Sequence, residues 1–241
     1  MKATIRGIAP GWGILNNYNA TSNGRIWVIW DENWYEIKVL SSTTQVLHCL
    51  IKDRIKGQQQ VLIVVYGFNT IERRKSLWQE LNTLAQGISQ PWLITGDFNA
   101  ILSPQDRLAG ASISLNDVKD FAACIQSMRV TELQWQGDYY SWTNKQHGED
   151  KISSKIDRLF GNYEWMEQWG YVITEYENLK CSRVNFKFLN IWAEHPSFMG
   201  LVENIWKKEY RTGQMLRVWC KLKALQPILR QHNNKEFKFI S

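Results

Sequence analysis

The sequence predicts an α/β chain of the α+β kind, with sheets flanked on the outside by helices and a helical tail at the C-terminus. Three observations predict it. Between residues 25 and 176 most segments are short apolar or alternating runs with strand character. Only two stretches of helical period interrupt them, too few for a regular parallel βαβ array. After Asn190 the strand runs stop and apolar residues recur at helical spacing.

The elements follow in order. Residues 1–23 are rich in Gly, Asn and Thr and carry no clear period. Arg25–Trp30 is a short apolar run, read as a buried strand, and Asp31-Glu32-Asn33 is a turn. Tyr35–Val39 alternates and reads as the returning strand. Gln45–Ile51 is a third strand, and Val61–Tyr66 carries the strongest strand signal in the chain. A helix follows, with Thr70 as N-cap, Glu72 in the first turn, Leu77, Trp78, Leu81 and Leu84 on one face, and Gly87 as the stop. Trp92–Thr95 is a short buried strand that runs into Gly96-Asp97-Phe98-Asn99. Ser114 to Asp117 forms a capping box for a second helix with Val118, Phe121, Ala122 and Ile125 on one face. Val130–Leu133, Tyr139–Thr143, Lys155–Phe160 and Tyr171–Tyr176 are further strand candidates. Phe198 to Trp206 and Met215 to Leu229 read as two amphipathic helices that need a partner face, with Pro227 as a kink.

Composition narrows the class. At 241 residues, with 44% hydrophobic and 22% charged, the chain can bury one full core and is not disordered. Most of the thirteen tryptophans fall in apolar runs, so many are expected in the core. No apolar stretch reaches the roughly 20 residues of a membrane helix, and no secretory signal is visible, so no membrane partner is expected. Cys49, Cys124, Cys181 and Cys220 are scattered without metal-ligand spacing, which fits a reducing compartment, nuclear or cytoplasmic. The formal charge of +6 resides entirely in residues 198–241, where nine Lys/Arg face three Glu. A tail of this kind permits attraction to nucleic acid, although a solvated helix face accounts for the same residues. No glycine-rich phosphate loop, nucleophile elbow or zinc pattern is present, so no small-molecule cofactor is expected.

Four residues could carry chemistry. Asp97, at the end of a buried strand, could activate a water or bind a metal at a cleft mouth. Asn99, two residues on along an extended chain, would point to the same side and could hydrogen-bond a phosphate. The same Gly, Asp and Asn also favour a plain strand-ending turn. Tyr66 could donate to a phosphate or simply edge the core. Asp157, facing opposite to Ile156, could orient a histidine or be a surface carboxylate. The histidines His48, His147, His195 and His232 show no ligand-like spacing.

Taken as an ordered series, the motifs resemble one family. The series is Gly24–Trp30, Val65-Tyr66-Gly67, Arg74 to Trp78, Pro91-Trp92 into Gly96-Asp97-Phe98-Asn99, Tyr140–Asn144, and Ile156-Asp157-Arg158. It is similar to the endonuclease domain of plant LINE-type (non-LTR) retroelements, in the endonuclease/exonuclease/phosphatase superfamily. Phe186–Trp192 and His195–Phe198 resemble the connector that precedes a reverse transcriptase. The resemblance implies a partial domain over 1–183 and a basic helical connector over 184–241. It implies a four-layer sandwich of two packed mixed β-sheets flanked by helices, here incomplete. It also implies phosphodiester hydrolysis that depends on Mg (or Mn) and nicks DNA. Asp97 would activate the attacking water, Asn99 and Tyr66 would hold the scissile phosphate, and Asp157 would orient the catalytic histidine.

The sequence departs from that pattern at both ends of the site. The family's first strands carry a catalytic Asn and a metal-binding Glu, whereas no acidic residue precedes Asp31 here. The family's closing Ser-Asp-His strand has no counterpart, because the chain passes from Glu177–Arg183 to Phe186 without an Asp-His pair. His195 matches the connector's histidine. The expectation is therefore a catalytically dead remnant whose ancestral partner was DNA and whose metal is not held tightly. Two alternatives stay open: a non-catalytic nucleic-acid-binding module, and a residually active nuclease using Asp31 or Glu32 as a substitute ligand.

Overall fold

The computed structural model describes residues 11–21, 24–176, 195–210 and 214–236. The readings that fall on residues 1–10, on the missing Asp-His pair and on Phe186–Trp192 lie outside these residues. The chain divides into two compact units, Trp12–Lys180 and one that contains the C-terminal helices.

The first unit holds strands β1 (Trp12–Asn16), β2 (Trp27–Asp31), β3 (Tyr35–Ser42), β4 (Val46–Asp53), β5 (Gln59–Tyr66) and β6 (Trp92–Asp97). The short strands β7 (Arg107–Leu108), β8 (Thr131–Glu132), β9 (Trp135–Gly137), β10 (Trp142–Thr143) and β11 (Ser153–Ser154) follow, then β12 (Asp157–Gly161) and β13 (Thr174–Tyr176). Its helices are α1 (Ile71–Gln86), α2 (Leu115–Met128) and α3 (Tyr163–Trp169). The central sheet is mixed, in the order β3-β4-β5-β6-β12-β8, with β5 and β6 parallel and joined through α1. The other pairs in it are antiparallel. β1 and β2 pair antiparallel as a separate two-stranded sheet.

Strand alternation sends the two faces of the central sheet to different partners. Val61, Ile63, Val65, Trp92 and Ile94 face α1 and α2, where they meet Leu77, Trp78, Leu81, Phe121 and Cys124. Phe121 stacks on Trp78 and Phe98 at ring centroids 4.8 and 5.0 Å apart. The opposite face, with Leu47, Cys49, Leu62, Val64 and Tyr66, packs on Leu15, Ile26 and Val28 of the β1–β2 side. Among the described residues of this unit the layers thus run helices, six-stranded sheet, two-stranded sheet. Two smaller sheets, β10-β11-β7 and β13-β9, complete the unit, and the whole is the mixed α/β fold of packed sheets and helices that the sequence predicts.

Several expectations hold in detail. Thr70 and Gly87 bound α1 as N-cap and C-cap, and the Ser114–Asp117 capping box opens α2. Others are corrected. β1 forms in a segment with no visible period, because its ladder to β2 depends on contacts eleven and more residues away. α3 is an additional helix, so the helices between strands number more than two. Its cap is tertiary as well as local: Asn162 accepts from Trp165 N–H at 3.0 Å and from Trp92 N–H at 3.0 Å. Tryptophan is not generally core here. Trp78, Trp92 and Trp165 are buried, while Trp27, Trp34, Trp135 and Trp142 are exposed.

Gly96 fixes the seam between β5 and β6. Its φ is +137°, and a Cβ there would sit 2.0 Å from the Val65 carbonyl oxygen. Gly96→Ala is expected to lower the unfolding free energy by about 2–4 kcal/mol, the scale of a strained backbone plus a main-chain clash. Urea unfolding checks it; a variant that unfolds at the wild-type midpoint would show that the strands separate at no cost.

In the second unit, α4 (Phe198–Trp206) and α5 (Gln214–Glu236) cover one another. Phe198, Val202 and Ile205 pack with Leu225 and Leu229, which supplies the partner face the sequence required. Pro227 lies inside α5. No helix among the described residues is long and apolar enough to cross a membrane.

Candidate active site

Register brings three of the four candidate residues into one row. Tyr66 on β5 is the parallel partner of Asp97 on β6, and Asp97 is the antiparallel partner of Asp157 on β12. Residues directly opposite in a ladder share a face, with Cβ atoms about 4.5–5.5 Å apart in an antiparallel pair. Tyr66 belongs to the face that carries Leu62 and Val64, so the row projects from the side away from α1 and α2.

The two carboxylates feel each other. Burial, then the charge of Asp157, push Asp97 up to about 6, against the pull of the Asn99 N–H, Arg74 and Arg25. Burial also raises Asp157, opposed by a hydrogen bond from Ser141. Ser141 Oγ further accepts from the Ile156 and Asp157 N–H groups at 3.1 and 3.0 Å, pinning the start of β12. Beneath the row, Arg74 is buried on α1 and donates to the Phe68 carbonyl at 2.8 Å. Arg25 Nη1 donates to Tyr66 Oη at 2.6 Å and its guanidinium lies 4.9 Å from the ring centre.

Asn99 does not extend the strand. β6 ends at Asp97, and Asn99 is left-handed with φ 47°. Its N–H donates to Asp97 Oδ1 at 2.9 Å and its side-chain amide donates to the Gly67 carbonyl at 2.8 Å. The extended-chain argument for Asn99 is thereby corrected: the turn brings it to the row, with one amide hydrogen already engaged. Gly67 allows the approach, since a Cβ there would meet Phe98 O at 2.3 Å.

Asp157 has no histidine to orient among the described residues of this unit. His48 pairs with Ile63, which faces α1 and α2, so its ring lies on the far side of the sheet. His147 sits exposed at the start of the Gly148–Asp150 turn. The substitute carboxylates are also misplaced. Asp31 closes β2 at the hairpin end, four residues beyond Trp27 at its start, and accepts from Asn33 in the turn. Glu32 is exposed in the same turn.

Sequence reasoning gives no role to Arg25, Arg74 or Ser141. Arg74 is legible as the cation on the buried side of a helix whose apolar positions are evident. Arg25 and Ser141 carry no local signal, because their partners are 41 and 16 residues away.

Residues 12–183 match the sequence profile of the Endonuclease/Exonuclease/phosphatase family. The chain belongs to that family. No curated protein matches it. Among solved structures, the endonuclease domain of TRAS1, a telomere-specific non-LTR retrotransposon, is similar at 12% identity, covering 66% of this chain and 71% of that one, with a TM-score of 0.53. AP endonuclease LMAP from Leishmania major is 11% identical over 64% of this chain and 63% of that one, with a TM-score of 0.49. The chain therefore spans less than two thirds of the second relative's length. At 12% identity the likeness to the TRAS1 domain is one of fold.

The family generally depends on a divalent metal. Asp97 and Asp157 offer two hard-oxygen donors whose repulsion a cation would relieve. No cluster of three or more His, Cys, Asp or Glu donors occurs among the described residues. Magnesium is commonly held by one or two carboxylates with water and substrate phosphate completing the octahedron. The pair fits an ion held in that loose way.

Proposed function

We propose that this chain carries the phosphate-handling half of a DNA endonuclease site from a LINE-type retroelement, of plant type, and hydrolyses phosphodiesters poorly or not at all. The observation that carries the reading is the Tyr66–Asp97–Asp157 row, whose sheet carries no histidine on that face among the described strand residues. Tyr66 and Asn99 would hold the phosphate, Asp97 would orient water, and Asp157, held by Ser141, would stand beside it. Asp97 and Asp157 would hold Mg or Mn loosely; when bound, the ion supplies polarisation of a phosphoryl oxygen. A missing acid–base partner removes typically 10²–10⁴-fold in rate, and groups that act as a unit do not retain fractional activity. In this reading residues 1–183 are the endonuclease-like domain and 184–241 a basic connector of the kind that precedes a reverse transcriptase, working in the nucleus or cytoplasm.

Incubation of folded protein with supercoiled plasmid and Mg or Mn tests this. The expected result is no nicked circle beyond that given by Asp97→Ala. Metal-dependent nicking that disappears in Asp97→Ala would overturn the inactivity and favour a working nuclease.

A further inference from the structure

A cavity of about 330 Å³ opens beside the row, sharing Tyr66 with it. Its wall includes Arg25, Arg73, Phe68, Thr44 and Thr70. Both arginines are exposed, and neither forms an ion pair among the described residues. Arg73 is stacked over the Phe68 ring at 3.8 Å, which holds its guanidinium in place while leaving its N–H edge open. Arg25 spends one N–H on Tyr66. The Thr70 hydroxyl is not used to cap α1. No acidic residue is among the described residues that line the cavity, and Glu72, next to Arg73 on the helix, is ion-paired to Lys75 at 2.7 Å.

Two pre-oriented guanidinium groups, hydroxyl donors and no carboxylate make a receptor for a tetrahedral oxyanion. Planar N–H forks match phosphate oxygens in bidentate fashion. The volume is at the low end for small-ligand pockets and exceeds a bare phosphate, so a sugar-phosphate unit fits it. Adjacent strands lie about 4.8 Å apart, so the cavity is a short step from Asp97, and phosphates recur every ~3.4 Å of axis along one DNA strand. We infer that this cavity binds a backbone phosphate of the nucleic-acid strand next to the one at Asp97, and that Arg25 and Arg73 are its ligands. The inference rests on the proposed phosphate-handling role of the row, which it extends by a second contact point.

Duplex binding in EDTA tests it without requiring cleavage. Affinity of a labelled 20-base-pair DNA lacking terminal phosphates is measured against KCl concentration for the full chain, Arg25→Gln, Arg73→Ala, Lys75→Ala and Asp97→Asn. Thermal unfolding confirms that each variant is folded. Arg25→Gln and Arg73→Ala are each expected to weaken binding roughly three- to tenfold at 100 mM KCl and to reduce the salt slope by about one. Lys75→Ala is expected to match wild type. Unchanged affinity and slope in both arginine variants would overturn the inference. If Asp97→Asn nevertheless altered binding, the row would still face DNA and only the second contact would fall. If Asp97→Asn were silent as well, both readings would fall. A parallel titration with inorganic phosphate separates the sources: arginine variants that lose phosphate binding but keep duplex binding would mark a site for a small phosphate ester and overturn the DNA assignment.

Discussion

Asp97→Asn is expected to stabilise the protein by about 2–3 kcal/mol at pH 8 and to leave it nearly unchanged at pH 4. The folded state raises this carboxyl from 3.8 to about 6. Between those values the native carboxyl is more protonated than the unfolded one, so the contribution of Asp97 to stability falls as pH rises from about 4 to about 6 and is flat above. Each tenfold change in proton affinity between the two states corresponds to about 1.4 kcal/mol. Asparagine removes the charge that burial and then Asp157 disfavour, yet keeps an oxygen to accept the Asn99 N–H. Urea unfolding at several pH values measures it. Equal stabilities of variant and wild type across the range would mean that Asp97 carries no buried charge. A residue whose neutral isostere is more stable is maintained at a cost to the fold, as expected of a functional carboxylate.

The second large effect lies on the opposite face of β12. Arg158 is buried, ion-pairs with Asp106 and donates to Glu132 at 2.8 Å. Lys155, also buried, pairs with Glu132 at 2.9 Å and lies 4.5 Å from the Trp135 ring centre. Asp106 accepts from Tyr139 Oη at 2.7 Å and from the Leu102 and Ser103 N–H groups at 2.7 and 2.9 Å. Burial alone would raise Asp106, but Tyr139, Arg158 and these amides hold it below the usual carboxylate range. Two cations and two anions balance, so removing one leaves an uncompensated buried charge, which costs about 3–5 kcal/mol. Arg158→Ala is expected to lose that much in urea unfolding. A loss under about 1 kcal/mol would show that water replaces the guanidinium. Because Arg158 adjoins Asp157 along β12, this network anchors the strand that presents Asp157 to the row.

Much of the fold is legible in the sequence because its signals are local. A capping residue, a stop and a 3.6-residue period lie within one helix, so Thr70 and Gly87 bound α1 from sequence alone. The alternation of β5 and the buried run of β6 place Tyr66 and Asp97 at strand ends. The face of Asp157 relative to Ile156 follows for the same reason.

The site needs more. That Tyr66, Asp97 and Asp157 stand in one row is a matter of register, set by pairings 31 and 60 residues apart in the chain. The extended-chain expectation for Asn99 fails because a left-handed residue breaks the two-residue period on which it relies. Arg25, Arg73 and Thr44 form a cavity only once the β1–β2 sheet packs over β5. The amino-acid sequence by itself determined the longer strands and helices, the family and the residue types available for chemistry, because those depend on short-range pattern. Only the tertiary structure decided which of them face each other, how strongly Asp97 and Asp157 repel, and that no histidine of the described unit reaches them. Proximity and burial set electrostatic energies, and neither is a property of chain order.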